Sequence, residues 1–124
     1  MRHRKSGRRL GMPWDRRMAL MRGLAGALIL HEGIRTTEAR AKELRRFVEP
    51  LVTTSKRGDV AARRLVLKKL PNKRLVEKLF DVYAPRFASR PGGYTRIIRL
   101  TPRHGDAASM VRIEFLAADE GNSA

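Results

Sequence analysis

Apolar residues recur at helical spacing from Met18 onward: Met18, Met21, Ala25, Leu28 and Ile29 mark one stripe that runs to His31. Pro13 and Asp15 suit the first turn of that helix, and Gly33 is the expected stop. The β-branched stretch "IRTT" at 34–37 predicts a short strand, after which Thr37 is placed to cap a second helix beginning at Glu38. Ala41, Leu44, Val48, Leu51, Val52 and Ser55 form its apolar stripe, with Pro50 inside it as a bend and "SKRG" as its end. Asp59 caps a third helix that Pro71 terminates, and Asn72 caps a fourth with Leu75, Val76, Leu79, Phe80 and Tyr83 on one face.

The pattern then changes. "APRFASRPGG" is rich in proline, glycine and small residues and predicts a loop. "YTRIIRLT" and "SMVRIEFL" are strands; in the second, Val111, Ile113 and Phe115 alternate with Arg112 and Glu114. "PRHGDAA" joins them as a hairpin loop. The order α-β-α-α-α-β-β predicts a two-layer α+β domain with a small mixed sheet. Residues 13–117 are the expected globular domain, 1–12 a basic extended arm, and 118–124 a flexible acidic tail.

Charge alters this picture more than composition does. The chain of 124 residues carries 28 Lys plus Arg against 12 Asp plus Glu, a net charge of +16. Both parts share the excess: net +6 over residues 1–32 and +10 over 33–124. A polyanionic partner is implied, and nucleic acid is the commonest. The opening "MRHRKSGRRLG" holds Arg2, His3, Arg4, Lys5, Arg8 and Arg9 with one large aliphatic, so it cannot bury enough apolar surface to order itself. RNA would order it, each cation neutralising a phosphate and releasing counterions.

Other chemistries are thinly represented. No cysteine is present, which removes disulfides and thiolate zinc sites and fits a cytosolic location. His3, His31 and His104 have no metal-ligand spacing, and neither a nucleophile elbow nor a P-loop nor an H-E-x-x-H motif occurs. An enzyme is therefore disfavoured, no cofactor or small-molecule substrate is implied, and a nucleotide-modifying enzyme would need acids that do not cluster here. The run "MALMRGLAGALIL" is broken by Arg22 and is too short to span a membrane, leaving a transit peptide as the remaining targeting reading.

The candidate RNA contacts on the globular part are Arg16, Arg17, Arg22, Arg45, Arg46, Arg86, Arg90, Tyr94 and Arg96. Two features stay open. Gly23 and Gly26 lie on one face of the first helix, where either a second helix or a phosphate backbone held by Arg16 and Arg22 could approach. Gly92-Gly93-Tyr94 is either a turn kept for folding or a place where the backbone comes close to RNA.

The segments "MRHRKSGRRLG", "TTEARAKELR", "VEPLVTTSKRGD" and "PRFASRPGGYTRI", in this order, resemble the bacterial large-subunit ribosomal protein family numbered seventeen, from Met1 to about Leu116. The resemblance implies a structural component of the large ribosomal subunit that binds large-subunit rRNA and lies beside other ribosomal proteins near the exit-tunnel side. It implies no catalysis and no cofactor. Carried over by position, Arg2, Arg4, Lys5, Arg8, Arg9, Arg90, Tyr94 and Arg96 are the RNA contacts it suggests. The chain departs from the family pattern at Met12, Trp14, Arg16 and Gly23, and at Arg112, where an apolar residue is expected. A small basic DNA-binding or nucleoid protein is the alternative, but no helix carries a clear base-reading pattern.

Overall fold

A computed structural model describes residues 11–118. The arm residues Arg2, His3, Arg4, Lys5, Arg8 and Arg9, and the end of the acidic tail, lie outside the described residues.

Helix α1 spans Trp14–His31, strand β1 Gly33–Thr37, α2 Glu38–Ser55, α3 Val60–Lys69 and α4 Lys73–Lys78. Three of these helices start where side-chain capping directs them. Thr37 Oγ1 accepts from the Arg40 amide, Asp59 Oδ1 from Ala62, and Asn72 Oδ1 from Arg74 and Leu75. Each such cap contributes about 1 kcal/mol. Pro50 is tolerated inside α2 on its exposed side.

Helix α4 does not stop at the predicted loop. It widens into a π-helical segment, Leu79–Tyr83, and closes with one more α turn, α5 (Ala84–Arg86). Pro85 explains both facts. It has no amide to donate and its ring crowds the carbonyl one turn back; the wider π turn, with Ala84 N–H donating to Leu79 O, accommodates it. The run of small residues and prolines thus hides a helical turn.

Strands β2 (Thr95–Arg99) and β3 (Met110–Phe115) form the expected hairpin. Asp106 ties its loop together: it accepts two bonds from Arg103 and one from the Ala108 amide. The sheet order is β1-β3-β2, and both pairings are antiparallel. The expected mixed sheet is therefore corrected. The last strand inserts between the other two and runs opposite to both, so no parallel pair arises.

The helices cover one face of this sheet. Met21, Ala25, Leu28 and Ile29 of α1 and Ala41, Leu44, Val48, Leu51 and Val52 of α2 are buried against Val111, Ile113 and Phe115 in one core. Tyr83, Phe87, Tyr94 and Phe115 form an aromatic group at its end, Tyr83 and Phe115 having centroids 4.2 Å apart. The Tyr83 hydroxyl donates to Ile29 O at 2.7 Å, and burial pushes its pKa up. No helix among the described residues is long and apolar enough to cross a membrane.

Candidate nucleic-acid interface

The cations divide by what they already hold. Arg86 reaches back to the end of α1, donating to Glu32 Oε1 at 2.7 Å, to Glu32 Oε2 at 3.2 Å and to Leu116 O at 3.2 Å. Its guanidinium lies 5.0 Å from the Tyr83 ring centroid, and only 15% of the side chain is exposed. The hydrogen bond from Arg86 holds the Glu32 carboxyl below the usual carboxylate range, and the same bond pushes the guanidinium up. Glu32 is also the left-handed residue that ends α1, at φ 66°, so the helix stop expected at Gly33 falls one residue earlier. Glutamate is a strained choice there, and Arg86 secures it.

Other predicted contacts are also engaged. Arg45 donates to Thr95 Oγ1 and Thr95 O at 3.3 and 3.4 Å, tying α2 to β2. Arg22 Nε donates to Lys69 O, one of the last carbonyls of α3. Lys56 donates to Arg90 O at 2.6 Å and to the Tyr94 hydroxyl at 3.0 Å. Tyr94 itself is fully buried, and its hydroxyl shares a 2.8 Å hydrogen bond with Thr53 Oγ1. Tyr94, expected among the RNA contacts, is buried in this structure, its ring packed on Phe87 with 5.1 Å between centroids. Gly93 has the positive φ, +64°, that the turn before Tyr94 requires; Gly92 does not.

Arg16, Arg46 and Arg96 are exposed, and Arg17 and Arg90 are half-buried. The two glycines of α1 resolve differently. A Cβ on Gly26 would stand 3.0 Å from Leu75 Cδ1, so there a second helix does approach; a Cβ on Gly23 would meet nothing. The predicted arginines are spread over α1 (Arg16, Arg17, Arg22), α2 (Arg45, Arg46), the end of α5 and the turn after it (Arg86, Arg90) and β2 (Arg96).

Arg96 belongs to the sheet face turned away from the helices. Directly opposed residues of antiparallel strands share a face, so the register puts Gly33, Glu114 and Arg96 in one row and Arg35, Arg112 and Ile98 in the next. Glu114 accepts from Arg96 Nε at 2.7 Å and from Arg112 Nε at 2.8 Å. These two hydrogen bonds hold its carboxyl below the usual range. The Arg112 guanidinium fills the space that a side chain at residue 33 would take, which is what calls for glycine there. Arg35 was not among the sequence candidates. Its signal was the alternation in "GIRTT", which sets it on the face opposite Ile34 and Thr36.

A family model described as ribosomal protein L17 matches residues 20–116. The chain is 53% identical over 116 residues to the large ribosomal subunit protein bL17 of Syntrophotalea carbinolica, covering 94% of this chain and 75% of the relative. The chain belongs to the ribosomal protein L17 family. As a member of that family it is a structural constituent of the large ribosomal subunit and not an enzyme. The matched range begins inside α1 and ends just after β3, so it takes in the whole sheet and both classes of arginine. Within an L17 protein the distinction between engaged and open cations becomes the question of which ones RNA can use.

Proposed function

We propose that this L17 protein packs large-subunit rRNA through the N-terminal arm and through its open cations, while its engaged cations hold the fold. The arm set is Arg2, His3, Arg4, Lys5, Arg8 and Arg9; Arg16, Arg46 and Arg96 extend it on the globular part. Arg45, Arg86 and Tyr94 move to the folding set because hydrogen bonds inside the molecule already engage their polar groups. The single observation that supports this reading is the division itself. Arg86 is nearly covered by Glu32 and Tyr83, whereas Arg96 is 60% exposed and keeps donor capacity beyond its pair with Glu114. The neighbours are other large-subunit proteins on the exit-tunnel side, as the resemblance implies.

Three measurements test the reading. Sedimentation of the tagged chain should find it in large-subunit fractions, and chemical cross-linking of intact subunits should join its lysines to proteins near the tunnel exit. Cross-links only to proteins remote from the exit would overturn the placement. In a filter-binding titration at fixed salt, large-subunit rRNA outcompetes duplex DNA of equal length. Equal competition would favour the nucleoid alternative.

A further inference from the structure

The sheet face that the helices leave uncovered carries a conflict that folding does not require. Arg35 and Arg112 stand directly opposite each other across β1 and β3, and the third member of their row is Ile98, 41% exposed. Like charges so placed are destabilising. Glu114 relieves Arg112 along its own strand and Arg96 across the sheet. For Arg35, no side-chain hydrogen bond or ion pair occurs among the described residues, and its side chain is exposed.

The face is also shaped. Without a side chain at Gly33, the Arg112 guanidinium lies down across β1. Beyond Arg35, toward the hairpin loop, an open groove of about 520 Å³ has Arg35, Arg103, His104, Leu100 and Met110 among its lining. Three arginines against one glutamate, beside a groove part apolar and part basic, match a ribose-phosphate chain: anionic along its backbone and apolar at its sugar and base faces. Three strands about 4.8 Å apart make a surface about 10 Å across, wide enough for one such chain.

The geometry points to the open sheet face as an rRNA-docking surface, with phosphates on Arg35, Arg112 and Arg96 and one nucleotide seated in the groove at the hairpin end. This rests on the rRNA-binding reading above and adds a second surface to it, on the side of the sheet away from the helices. Arg35 is the residue that carries it, because it is exposed and has no structural duty.

The test is binding of the full chain to purified large-subunit rRNA over a range of salt, for the parent, Arg35→Gln, Arg35→Gln with Arg112→Gln, and Arg74→Gln as a control on α4. Each lost phosphate contact lowers the magnitude of the slope of log K against log salt by about 0.7–0.9. The surface predicts a drop of that size for Arg35→Gln, about twice that for the pair, and a smaller change for Arg74→Gln. An unchanged unfolding midpoint of Arg35→Gln must accompany it. Since Arg112→Gln removes one of the two partners of Glu114 and so perturbs the strand itself, Arg35→Gln alone decides the matter. Equal slopes for Arg35→Gln and Arg74→Gln would overturn the surface. Normal rRNA binding by Arg35→Gln with poor incorporation into subunits would also overturn it, and would assign the face to an acidic protein neighbour. A chain lacking residues 1–11 separates the two readings: if it loses affinity while Arg35→Gln does not, rRNA binding stands and the sheet surface falls. If the parent itself shows no preference for rRNA, both fall.

Discussion

Arg86 and Arg35 are the same residue in two opposite situations. Arg86 sits under the end of α1 with its donors spent on Glu32 and Leu116 O, and with two aromatic rings beside it. Arg35 sits in the middle of a short strand on an uncovered face, opposite another arginine. The first converts charge into architecture: it closes a helix on a non-glycine left-handed residue and ties three segments of chain together. The second leaves its charge available, at some cost to the sheet. In a protein with net charge +16, counting arginines says that RNA is the partner but not which arginines meet it. Internal acceptors sort them.

The comparison is broken most directly by removing Arg86. Arg86→Gln leaves Glu32 strained and its carboxylate without its cation. Loss of a buried pair costs several kcal/mol, but Glu32 is half-exposed and solvent offsets part of that, so about 2 kcal/mol is expected in urea unfolding. A loss below 0.5 kcal/mol, about what an exposed pair contributes, would return Arg86 to the RNA-facing set.

Acid should produce a related, smaller effect. The carboxyls of Glu32, Glu38 and Glu114 are held below 4.5 by their basic neighbours, and hydrogen bonds from Arg103 and the Ala108 amide bring Asp106 down to about 2. A folded-state pKa below the unfolded one means the unfolded chain binds more protons in this range. The stabilisation is therefore complete above about pH 4.5 and is lost as pH falls through the lowered values. The unfolding midpoint of the parent should decline steadily below pH 4.5, and Arg86→Gln should decline less steeply because Glu32 no longer contributes. Parallel pH profiles for the two would contradict the pairing.

Tyr94→Phe tests the buried tyrosine. It removes the hydroxyl shared with Thr53 and Lys56, at a cost of about 1 kcal/mol in stability. The salt dependence of rRNA binding should not move, and a clear drop in slope would mean that the hydroxyl reaches RNA after all.

The smallest effect is expected at Gly23, where a Cβ meets open space. Gly23→Ala should stabilise the free chain by about 0.5–1 kcal/mol through helix propensity. Gly26→Ala should gain less, since Leu75 must shift. If Gly23→Ala also weakens rRNA binding, a phosphate backbone approaches that face; unchanged binding leaves the helix surface free.

The elements were legible wherever a local signal decided them. Thr37, Asp59 and Asn72 cap the helices that follow them, the stripe from Ala41 to Ser55 is the buried side of α2, and Val111, Ile113 and Phe115 are the buried side of β3. What could not be read depended on partners distant in the chain. Pro85 reads as a breaker until the π-helical turn before it is seen. Glu32 holds a left-handed conformation because Arg86, 54 residues later, secures it. The direction of β3 between β1 and β2 is a property of the whole sheet. For the candidate site, the charge pointed correctly to the kind of partner, and the segments from "TTEARAKELR" to "PRFASRPGGYTRI" to the family. That Tyr94 is buried and Arg86 engaged by Glu32 could not be read, because burial and long-range pairing are decided in three dimensions, and Arg35 was passed over because a lone arginine forms no cluster in sequence.

The central claim is that RNA affinity and stability reside in different cations. Salt titration of rRNA binding and urea unfolding, run side by side on a chain lacking residues 1–11 and on Arg86→Gln, test it most directly. The deletion removes Arg2, Arg4, Lys5, Arg8 and Arg9. It should lower the magnitude of the salt slope by several units, at about 0.7–0.9 per phosphate contact, and leave the unfolding midpoint where it was. Arg86→Gln should do the reverse, lowering the midpoint with the slope unchanged at temperatures where it is folded. An arm deletion that leaves the slope intact, or an Arg86→Gln slope that falls with its stability retained, would contradict the division.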